Sequence, residues 1–247
     1  MTTNVFDGNA GMLATDSRWS IPWGSHRIIY VDDAQFDKIE LYEDTAFVFA
    51  GKGDGVQVWK NWIRSRPTDL SLRPNVEGVS ICMVDVPTGA IEEFSRGDNI
   101  VREGAYFAGS GKLHAYKCWD ANRDAVKSVA TAKQMDYCTG GETKFLELAT
   151  RSHNLSYPTV NVTVEMVARA IDERGTVVDI SVGNSGVVPF NLKDIAANDG
   201  ELASLKAKIA SGEISPEAPC DGMYTEWTDG QKSKLDNALS RVFKLKA

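Results

Sequence analysis

The sequence predicts an α+β fold in which helices cover antiparallel sheets. Two observations in this 247-residue chain support the prediction: three pairs of apolar runs are joined by short turns, and apolar residues recur elsewhere at helical spacing. In chain order the predicted elements are strands, a helix, strands, two helices and a strand. Strands and helices that occur in such blocks, instead of in strict alternation, are typical of α+β proteins.

Each predicted hairpin consists of two apolar runs separated by residues that favour turns. The turns fall at residues 7–11, at Glu43-Asp44 and at Pro87-Thr88-Gly89. Glycine tolerates left-handed backbone and proline presets a bend, so both favour chain reversal. The paired runs are residues 5–6 with 11–16, 36–41 with 46–50, and 79–86 with 90–94. Further single strands are predicted at 104–108 and 145–148.

The helices are predicted from apolar spacing and from their end signals. A short helix carries Val56, Trp59 and Ile63 and ends before Pro67. Asp120 is expected to cap a later helix, since an aspartate can accept the free N–H groups of the first turn. The other predicted helices cover residues 113–119, 125–135, 164–171, 202–209 and 235–243, and a strand covers 176–182. From about residue 151, predicted helices and one strand are separated by joints rich in Pro and Gly. This change predicts a domain of residues 1–150 and a C-terminal helical extension of residues 151–247.

Charge and composition exclude several classes of function. Asp and Glu number 34 against 27 Lys and Arg, a net charge of −7, and the basic residues form no run. Neutralising phosphates requires clustered Lys and Arg, so we expect neither nucleic acid nor a membrane surface as a partner. No apolar stretch reaches the roughly 18 residues that a spanning helix needs. The first residues lack the basic and apolar regions of a signal peptide, which predicts a cytoplasmic protein.

The cysteines and histidines give no sign of a metal or cofactor site. The 4 cysteines form no C-x-x-C pair, so reduced thiols are expected. The 3 histidines lie far apart in sequence, although a cluster in space stays open. We therefore expect neither a metal nor a cofactor.

The most informative feature is an ordered set of short motifs that begins at the second residue. In chain order they are Thr2-Thr3, Asp16-Ser17-Arg18, Lys38, Gly51, Gly109-Ser110-Gly111 and Asp136-Tyr137-Cys138-Thr139-Gly140. Taken alone, each has an ordinary interpretation as a terminus, a turn, a strand charge or a helix end. Together, over residues 2 to about 150, they resemble the proteasome β-subunit-like N-terminal threonine peptidases, and most of all the bacterial and phage-borne proteasome homologues. The resemblance implies a four-layer αββα sandwich, the Ntn-hydrolase fold.

The resemblance implies a catalytic role for each motif, and the chemistry supplies a reason. A hydroxyl needs a base near neutral pH, and a terminal threonine, here Thr2, carries one in its own α-amino group. An ammonium at Lys38 would favour the neutral form of that amine, Asp16 would hold Lys38, and the N–H of Gly51 would bind the oxyanion. The resemblance adds a polar shell that orients the Thr2 amine and an attacking water, formed by Ser110, Asp136 and Thr139.

The resemblance also implies a set of substrate-binding residues near the lysine and the oxyanion glycine. These are Ser20, Phe36, Glu40, Phe49 and Gly53. Phe49 would fill the floor of the pocket beside the scissile bond, which predicts small or medium apolar substrate side chains there. The alternative, that Phe36 and Phe49 are inward core aromatics, stays open.

The function implied is that of an endopeptidase enclosed in its own oligomer. It would cleave peptide or unfolded polypeptide inside a homo-oligomeric ring or double ring, with an ATPase unfoldase as a candidate partner. Removal of Met1, with no propeptide, would expose Thr2. Two departures from the family stand out: residues 51–76 hold one short helix where ring-forming relatives have two long ones, and residues 151–247 have no counterpart in the compact peptidases. Two alternatives stay open, an inactive structural or binding subunit and a small-molecule amidase of the same fold.

Overall fold

Two antiparallel sheets form the centre of the fold, and helices cover both outer faces. The computed structural model describes residues 2–94, 99–181, 189–197 and 199–245. The strands are β1 (Thr3–Asp7), β2 (Met12–Asp16), β3 (Trp19–Trp23), β4 (Arg27–Val31), β5 (Ile39–Tyr42), β6 (Thr45–Lys52), β7 (Val79–Asp85), β8 (Ile91–Phe94), β9 (Ile100–Arg102), β10 (Ala105–Gly109), β11 (Thr143–Glu147), β12 (Thr176–Asp179), β13 (Phe190–Asn191) and β14 (Glu217–Ala218). The helices are α1 (Gly53–Arg64), α2 (Lys112–Asn122), α3 (Ala125–Met135), α4 (Val164–Arg174), α5 (Leu192–Ala196), α6 (Gly200–Ala210) and α7 (Asp229–Phe243).

The two sheets differ in size and in which parts of the chain supply their strands. The smaller sheet has the order β11-β2-β1-β10-β9. The larger sheet has the order β13-β12-β4-β3-β14-β6-β7-β8, with β5 paired to β6. The pairings in both sheets are antiparallel. The larger sheet therefore combines strands from the first half of the chain with three short strands from residues 151–247.

Apolar clusters between the sheets and beneath the helices define four layers. Between the sheets, Phe6 of β1 packs in one cluster with Val48 of β6. On the outer face of the smaller sheet, Phe107 of β10 packs with Trp119 of α2. On the outer face of the larger sheet, Phe49 of β6 packs in a cluster that includes residues of α1, α4, α6 and α7. Phe49 and Val48 face opposite layers because successive side chains of a strand point to opposite sides. The predicted α+β sandwich of antiparallel sheets and helices is confirmed.

Most predicted elements are present, and one capping residue was predicted wrongly. All three hairpins and the helices of both halves form where the apolar pattern indicates. Asp120 lies inside α2, which continues to Asn122, and Asp124 caps α3 instead by accepting the Lys127 N–H at 2.9 Å. Helix α2 is longer than its apolar spacing suggests, so the turn between α2 and α3 comes after Asn122. Of the strand predicted at 176–182, β12 forms the first part and Val182 lies outside the described residues.

The hairpin of β3 and β4 was not predicted because Pro22 and Gly24 give a loop signal. Pro22 lies within β3 at an exposed position, where a missing N–H donor is tolerated. Residues 151–247 also join the larger sheet more closely than the term extension suggests, since β12 pairs with β4 and β14 lies between β3 and β6. Their division from residues 1–150 stays a prediction. Within the described residues, no helix combines the length and apolar character needed to cross a bilayer.

Candidate active site

Thr2 lies beside Asp16 because the first hairpin brings the start of β1 next to the end of β2. The two strands pair with Asn4 opposite Thr15, so the residue before β1 reaches the last residue of β2. Thr2 and Asp16 are both completely buried. The Thr2 hydroxyl donates a hydrogen bond to Asp16 Oδ1. The predicted nucleophile is therefore in direct contact with a buried carboxylate.

The Asp16 carboxylate is held by main-chain donors from three segments. Oδ1 accepts the N–H of Thr3 at 2.9 Å, and Oδ2 accepts those of Arg18 at 3.1 Å and Gly140 at 3.2 Å. Hydrogen bonds to an ionised carboxylate are stronger than those between neutral groups. Asp16 is thus fixed in position by the backbone, independently of Thr2.

Lys38 brings a positive charge to the same carboxylate. Its Nζ lies 3.0 Å from Asp16 Oδ1, and both side chains are fully buried. Lys38 immediately precedes β5, and its carbonyl accepts the N–H of Phe49 at 2.7 Å, which fixes its backbone. Burial lowers the pKa of Lys38, and the Asp16 carboxylate opposes that shift. Within the described residues, Nζ has no hydrogen-bond acceptor of good geometry; charge attraction to Asp16 holds it, and the Trp19 ring lies 5.7 Å from it.

Gly51, the predicted oxyanion residue, occupies a backbone position near the end of β6 that suits glycine alone. Its φ is +111°, and a Cβ would stand 2.2 Å from the carbonyl oxygen of Gly78. Residues with a side chain rarely adopt this conformation. Across the sheet, Gly51 stands opposite Val79 of β7 on one side and Ala218 of β14 on the other.

A second polar cluster lies behind Thr3. Asp136 Oδ2 accepts hydrogen bonds from Ser110 Oγ and, at 2.6 Å, from Thr139 Oγ1. The hydroxyls of Thr139 and Thr3 are 2.8 Å apart. Two routes lead from this cluster to Asp16: the N–H of Thr3 binds Asp16, and so does the N–H of Gly140, the residue after Thr139. Thr3 belongs to the Thr2-Thr3 motif, but the sequence pattern alone predicts no role for it.

Four of the five predicted substrate-binding residues fall into two pairs. Ser20 of β3 and Gly53 of α1 face the segment that contains β14, with Ser20 Oγ 3.4 Å from the carbonyl of residue 217 and Gly53 N 2.8 Å from that of residue 216. Phe36 and Phe49 are buried in the apolar cluster between the larger sheet and its helices. Their positions are those of core aromatics, and a role in the pocket stays a prediction.

Glu40, the fifth, is buried in an ionic cluster with α1. Its two carboxylate oxygens accept hydrogen bonds from Arg64 Nε and Nη2, both at 2.7 Å. Lys60 Nζ, which is also buried, lies 3.5 Å from Glu40 Oε2. These contacts join β5 to the helix that covers it.

A short segment of the C-terminal part of the chain, for which the sequence pattern predicts no strand, lies between β3 and β6. In this segment, Glu217 and Ala218 form β14. The carbonyl oxygen of Pro219 accepts the N–H of Thr2 at 2.9 Å. The signal that the sequence offers is the pair of prolines at 216 and 219, which favour extended backbone without indicating a partner strand.

The site combines groups suited to attack on a carbonyl. A buried hydroxyl and a buried ammonium both contact one carboxylate, and Gly51 stands opposite Ala218, next to the proline whose carbonyl accepts the Thr2 N–H. Such a set can stabilise the charge that develops when a hydroxyl becomes a nucleophile. Among the described residues, no group of three or more His, Cys, Asp and Glu side chains could hold a metal ion.

Comparison with known proteins gives matches among solved structures. No family model and no curated protein sequence matches the chain. The chain is similar to BPH from Thiobacillus denitrificans in complex with epoxomicin, at 14% identity and a TM-score of 0.34, over 60% of this chain and 98% of that chain. It is similar to a eukaryotic HslV from Trypanosoma brucei, at 17% identity and a TM-score of 0.33, over 59% and 98%. A further Thiobacillus denitrificans BPH structure matches at 15% identity and a TM-score of 0.32, over 60% and 97%. At such values, we base the function on the residues of this chain.

Proposed function

We propose that this protein is a threonine-type peptidase in which Thr2 is the nucleophile once Met1 has been removed. The observation that supports the proposal most directly is the buried chain of contacts from the Thr2 hydroxyl through Asp16 to Lys38. Taking two charges out of water is costly. A threonine that served only to start a strand would not require a buried ammonium on its carboxylate partner.

In the proposed reaction, the free α-amine of Thr2 accepts the hydroxyl proton as Oγ1 forms a bond to the substrate carbonyl carbon. The N–H of Gly51 stabilises the oxyanion, and loss of one such donor typically costs about 3 to 4 kcal/mol. The amine then gives its proton to the leaving nitrogen, and the C–N bond breaks. The remaining ester on Oγ1 is hydrolysed by a water that passes a proton to the same amine, and the amine returns that proton to Oγ1 as the bond from the acyl carbon to Oγ1 breaks.

Asp16 and Lys38 set the charge at the new N-terminus in this proposal. An ordinary α-amine has a pKa of about 8. Lys38 and Thr2 approach the same carboxylate oxygen, so the ammonium disfavours a second positive charge on the amine and keeps it available as a base. Ser110, Asp136 and Thr139 are positioning residues that orient the Thr2 amine and an attacking water, and their contacts continue to Asp16 through Thr3 and Gly140.

The proposed substrate is a peptide or unfolded polypeptide that lies along the groove past Ser20 and Gly53. We propose a preference for small or medium apolar side chains beside the scissile bond. A panel of fluorogenic peptides tests this preference, which fails if peptides with an Arg at that position are cut fastest.

We also propose that the protein works in the cytoplasm as a homo-oligomeric ring or double ring, with an ATPase unfoldase as a candidate partner. Enclosure would keep the nucleophile from other proteins, and light scattering distinguishes a ring from a monomer.

Covalent labelling with an epoxyketone tests the nucleophile, because this group reacts with both the hydroxyl and the α-amine of an N-terminal threonine. Protein whose intact mass shows that Met1 is absent should gain the mass of one inhibitor, and Thr2→Ala should gain none. Thr45→Ala is a matched control, since Thr45 is also buried but lies at the opposite end of β6 from Gly51. The proposal is contradicted if protein that lacks Met1 binds peptide in the groove and still gains no inhibitor mass.

A second candidate function is that of an inactive binding subunit. The observation in its favour is the main chain of Pro219, whose carbonyl accepts the Thr2 N–H. In an inactive subunit, this segment would be a permanent part of the sheet. Retention of Met1 in protein from a native-like host would support this candidate.

A further inference from the structure

We propose that residues 215–220 are an internal ligand of the Thr2 site, docked as an extended peptide between β3 and β6, and that they must leave before a peptide substrate enters. We refer to these residues as the docked segment. The consequence for catalysis rests on the proposed function, whereas the docking can be tested without any activity.

The docked segment enters the sheet as an added strand. Glu217 stands opposite Ser20 of β3 and Lys52 of β6, and Ala218 stands opposite Gly51. Addition of an extended peptide to strand edges through main-chain hydrogen bonds is a recurrent mode of peptide recognition. Because the backbone makes these pairings, another extended peptide can replace the segment.

Upstream of β14, the docked segment satisfies the start of helix α1. The N–H of Asp54 donates to Ser215 Oγ at 3.0 Å, and the N–H of Gly53 donates to the Pro216 carbonyl at 2.8 Å. The first N–H groups of a helix have no partner within the helix, and the N-cap residue Lys52 provides no side-chain cap. These donors would be free to bind a peptide if the segment left.

Downstream of β14, the docked segment passes Thr2. The carbonyl of Pro219 accepts the Thr2 N–H at 2.9 Å. Ala218 and Pro219 are buried, as is Thr2. Two chains cannot occupy one strand position, so a second peptide cannot lie between β3 and β6 while the segment is docked. The docked state is therefore autoinhibited.

The composition of the docked segment indicates which peptides compete with it. Ala218 is fully buried opposite Gly51, so a competing peptide should carry a small apolar residue at this position. Pro216 and Pro219 favour extended backbone, which reduces the entropy lost on docking. An extended peptide with the same spacing of a small residue between prolines should compete.

Two features favour release of the segment over permanent incorporation. Glu217 Oε2 is buried without a hydrogen-bond partner among the described residues, which is a cost of docking. On either side the chain returns to solvent, at Gly212, where a Cβ would meet nothing within 4 Å, and at Tyr224, which is 75% exposed. Release would thus remove a two-residue strand from the sheet, while α6 and α7 on either side of the segment could stay in place.

The test uses full-length protein and a fluorescent peptide with the sequence Ser-Pro-Glu-Ala-Pro-Ser. Ala218→Arg places a long charged side chain at a fully buried position and should expel the segment. Ala207→Arg is the matched control, because Ala207 is exposed on α6. We expect the peptide to bind Ala218→Arg at least tenfold more tightly than wild type or Ala207→Arg. Hydrogen exchange at the amides of Gly53 and Asp54 should accelerate in Ala218→Arg alone.

Equal peptide binding to all three proteins, with unchanged exchange at Gly53 and Asp54, overturns the proposal. If Ala218→Arg does not fold, native-state exchange of the wild type decides. An internal ligand predicts that these two amides exchange at least tenfold faster than the amides that pair β6 with β7. Exchange at one common rate means that the segment is a permanent strand, which also overturns the proposal.

Epoxyketone labelling separates this inference from the proposed function. Faster labelling of Ala218→Arg than of wild type supports both. Stronger peptide binding by Ala218→Arg without labelling of any protein supports the internal ligand and contradicts the peptidase. Equal labelling rates in wild type and Ala218→Arg support the peptidase and contradict the obstruction of Thr2.

Discussion

Lys38 Nζ lies 3.0 Å from Asp16 Oδ1, and neither side chain has exposed surface. The Thr2 hydroxyl donates to the same oxygen, so one carboxylate joins the start of β1, the end of β2 and the residue before β5. A buried ion pair is strongly destabilised when one partner is removed, because the remaining charge stays buried. The candidate site and the stability of this corner of the fold therefore depend on the same contact.

We expect Lys38→Met to lower the free energy of unfolding by about 3 kcal/mol, the lower end for a broken buried pair, because three N–H donors still hold Asp16. Urea denaturation measures the change. Adding Asp16→Asn should recover part of the loss, since it removes the uncompensated charge. Lys127→Met is the control: its side chain is 68% exposed, and its removal should cost less than about 0.5 kcal/mol. Equal losses of unfolding free energy for the two lysine substitutions would show that the Lys38–Asp16 ion pair does not stabilise the fold.

Gly51→Ala should be far more damaging than Gly212→Ala, although both glycines have positive φ. The Cβ at position 51 would stand 2.2 Å from a main-chain oxygen, whereas at position 212 it would meet nothing within 4 Å. Gly212→Ala should cost about 1 to 2 kcal/mol for the left-handed backbone alone. Gly51→Ala adds a steric overlap worth about 1 to 3 kcal/mol more. Thermal and urea unfolding compare the two, and similar losses would contradict the close approach of residue 78.

Glu40→Gln distinguishes a structural role of Glu40 from the pocket role that the sequence predicts. Loss of the carboxylate charge leaves Arg64 and the buried Lys60 without their counter-ion, which should lower the free energy of unfolding by about 3 to 5 kcal/mol. Epoxyketone labelling under native conditions should keep the wild-type rate. Glu77→Gln, at an exposed position, is the control for stability. A change in peptide preference without a loss of stability would instead support the pocket role.

The parts of the fold that could be predicted are those that depend on local patterns. The hairpin of β1 and β2 has an apolar run on each side of a glycine-containing turn, so its formation brings Thr2 to Asp16 without help from distant residues. The helices follow from apolar spacing for the same reason. Asp120 failed as a cap because apolar spacing marks the buried face of a helix and not its last turn.

The occupied groove could not be predicted, because its partners are distant and its strand is very short. Ser20 and Glu217 are separated by 197 positions, and β14 has two residues, too few to show any periodicity. Glu40 illustrates a second limit: its position two residues after Lys38 does not say that Arg64 of α1 binds its carboxylate. In both cases tertiary packing determines the partner, and the local sequence pattern contains no information about it.

Glu217→Gln should strengthen docking of the segment at neutral pH. Burial raises the pKa of Glu217, and Lys52 opposes the shift. The released segment is exposed, so its carboxyl should titrate near the ordinary value of about 4.3. Since the docked state binds the proton more tightly, docking is strongest below the pKa of the released form. It weakens as the pH rises towards the raised pKa of the docked form, and stays weak above it.

The binding of the fluorescent peptide should therefore become stronger in the wild type as the pH rises from 4 to 7, because the competing segment docks less well. Glu217→Gln carries no charge at this position, so its peptide binding should be weaker at pH 7 and nearly independent of pH. The charged groups that act on Glu217 are Lys52 and the N-terminal amine, which oppose the rise of its pKa, and Asp54, which adds to it. The control is Glu213→Gln, whose exposed carboxylate pairs with Lys208 at 3.1 Å outside the groove. It should follow the wild-type profile, and a Glu217→Gln profile identical to that of wild type would exclude Glu217 as the source of the pH dependence.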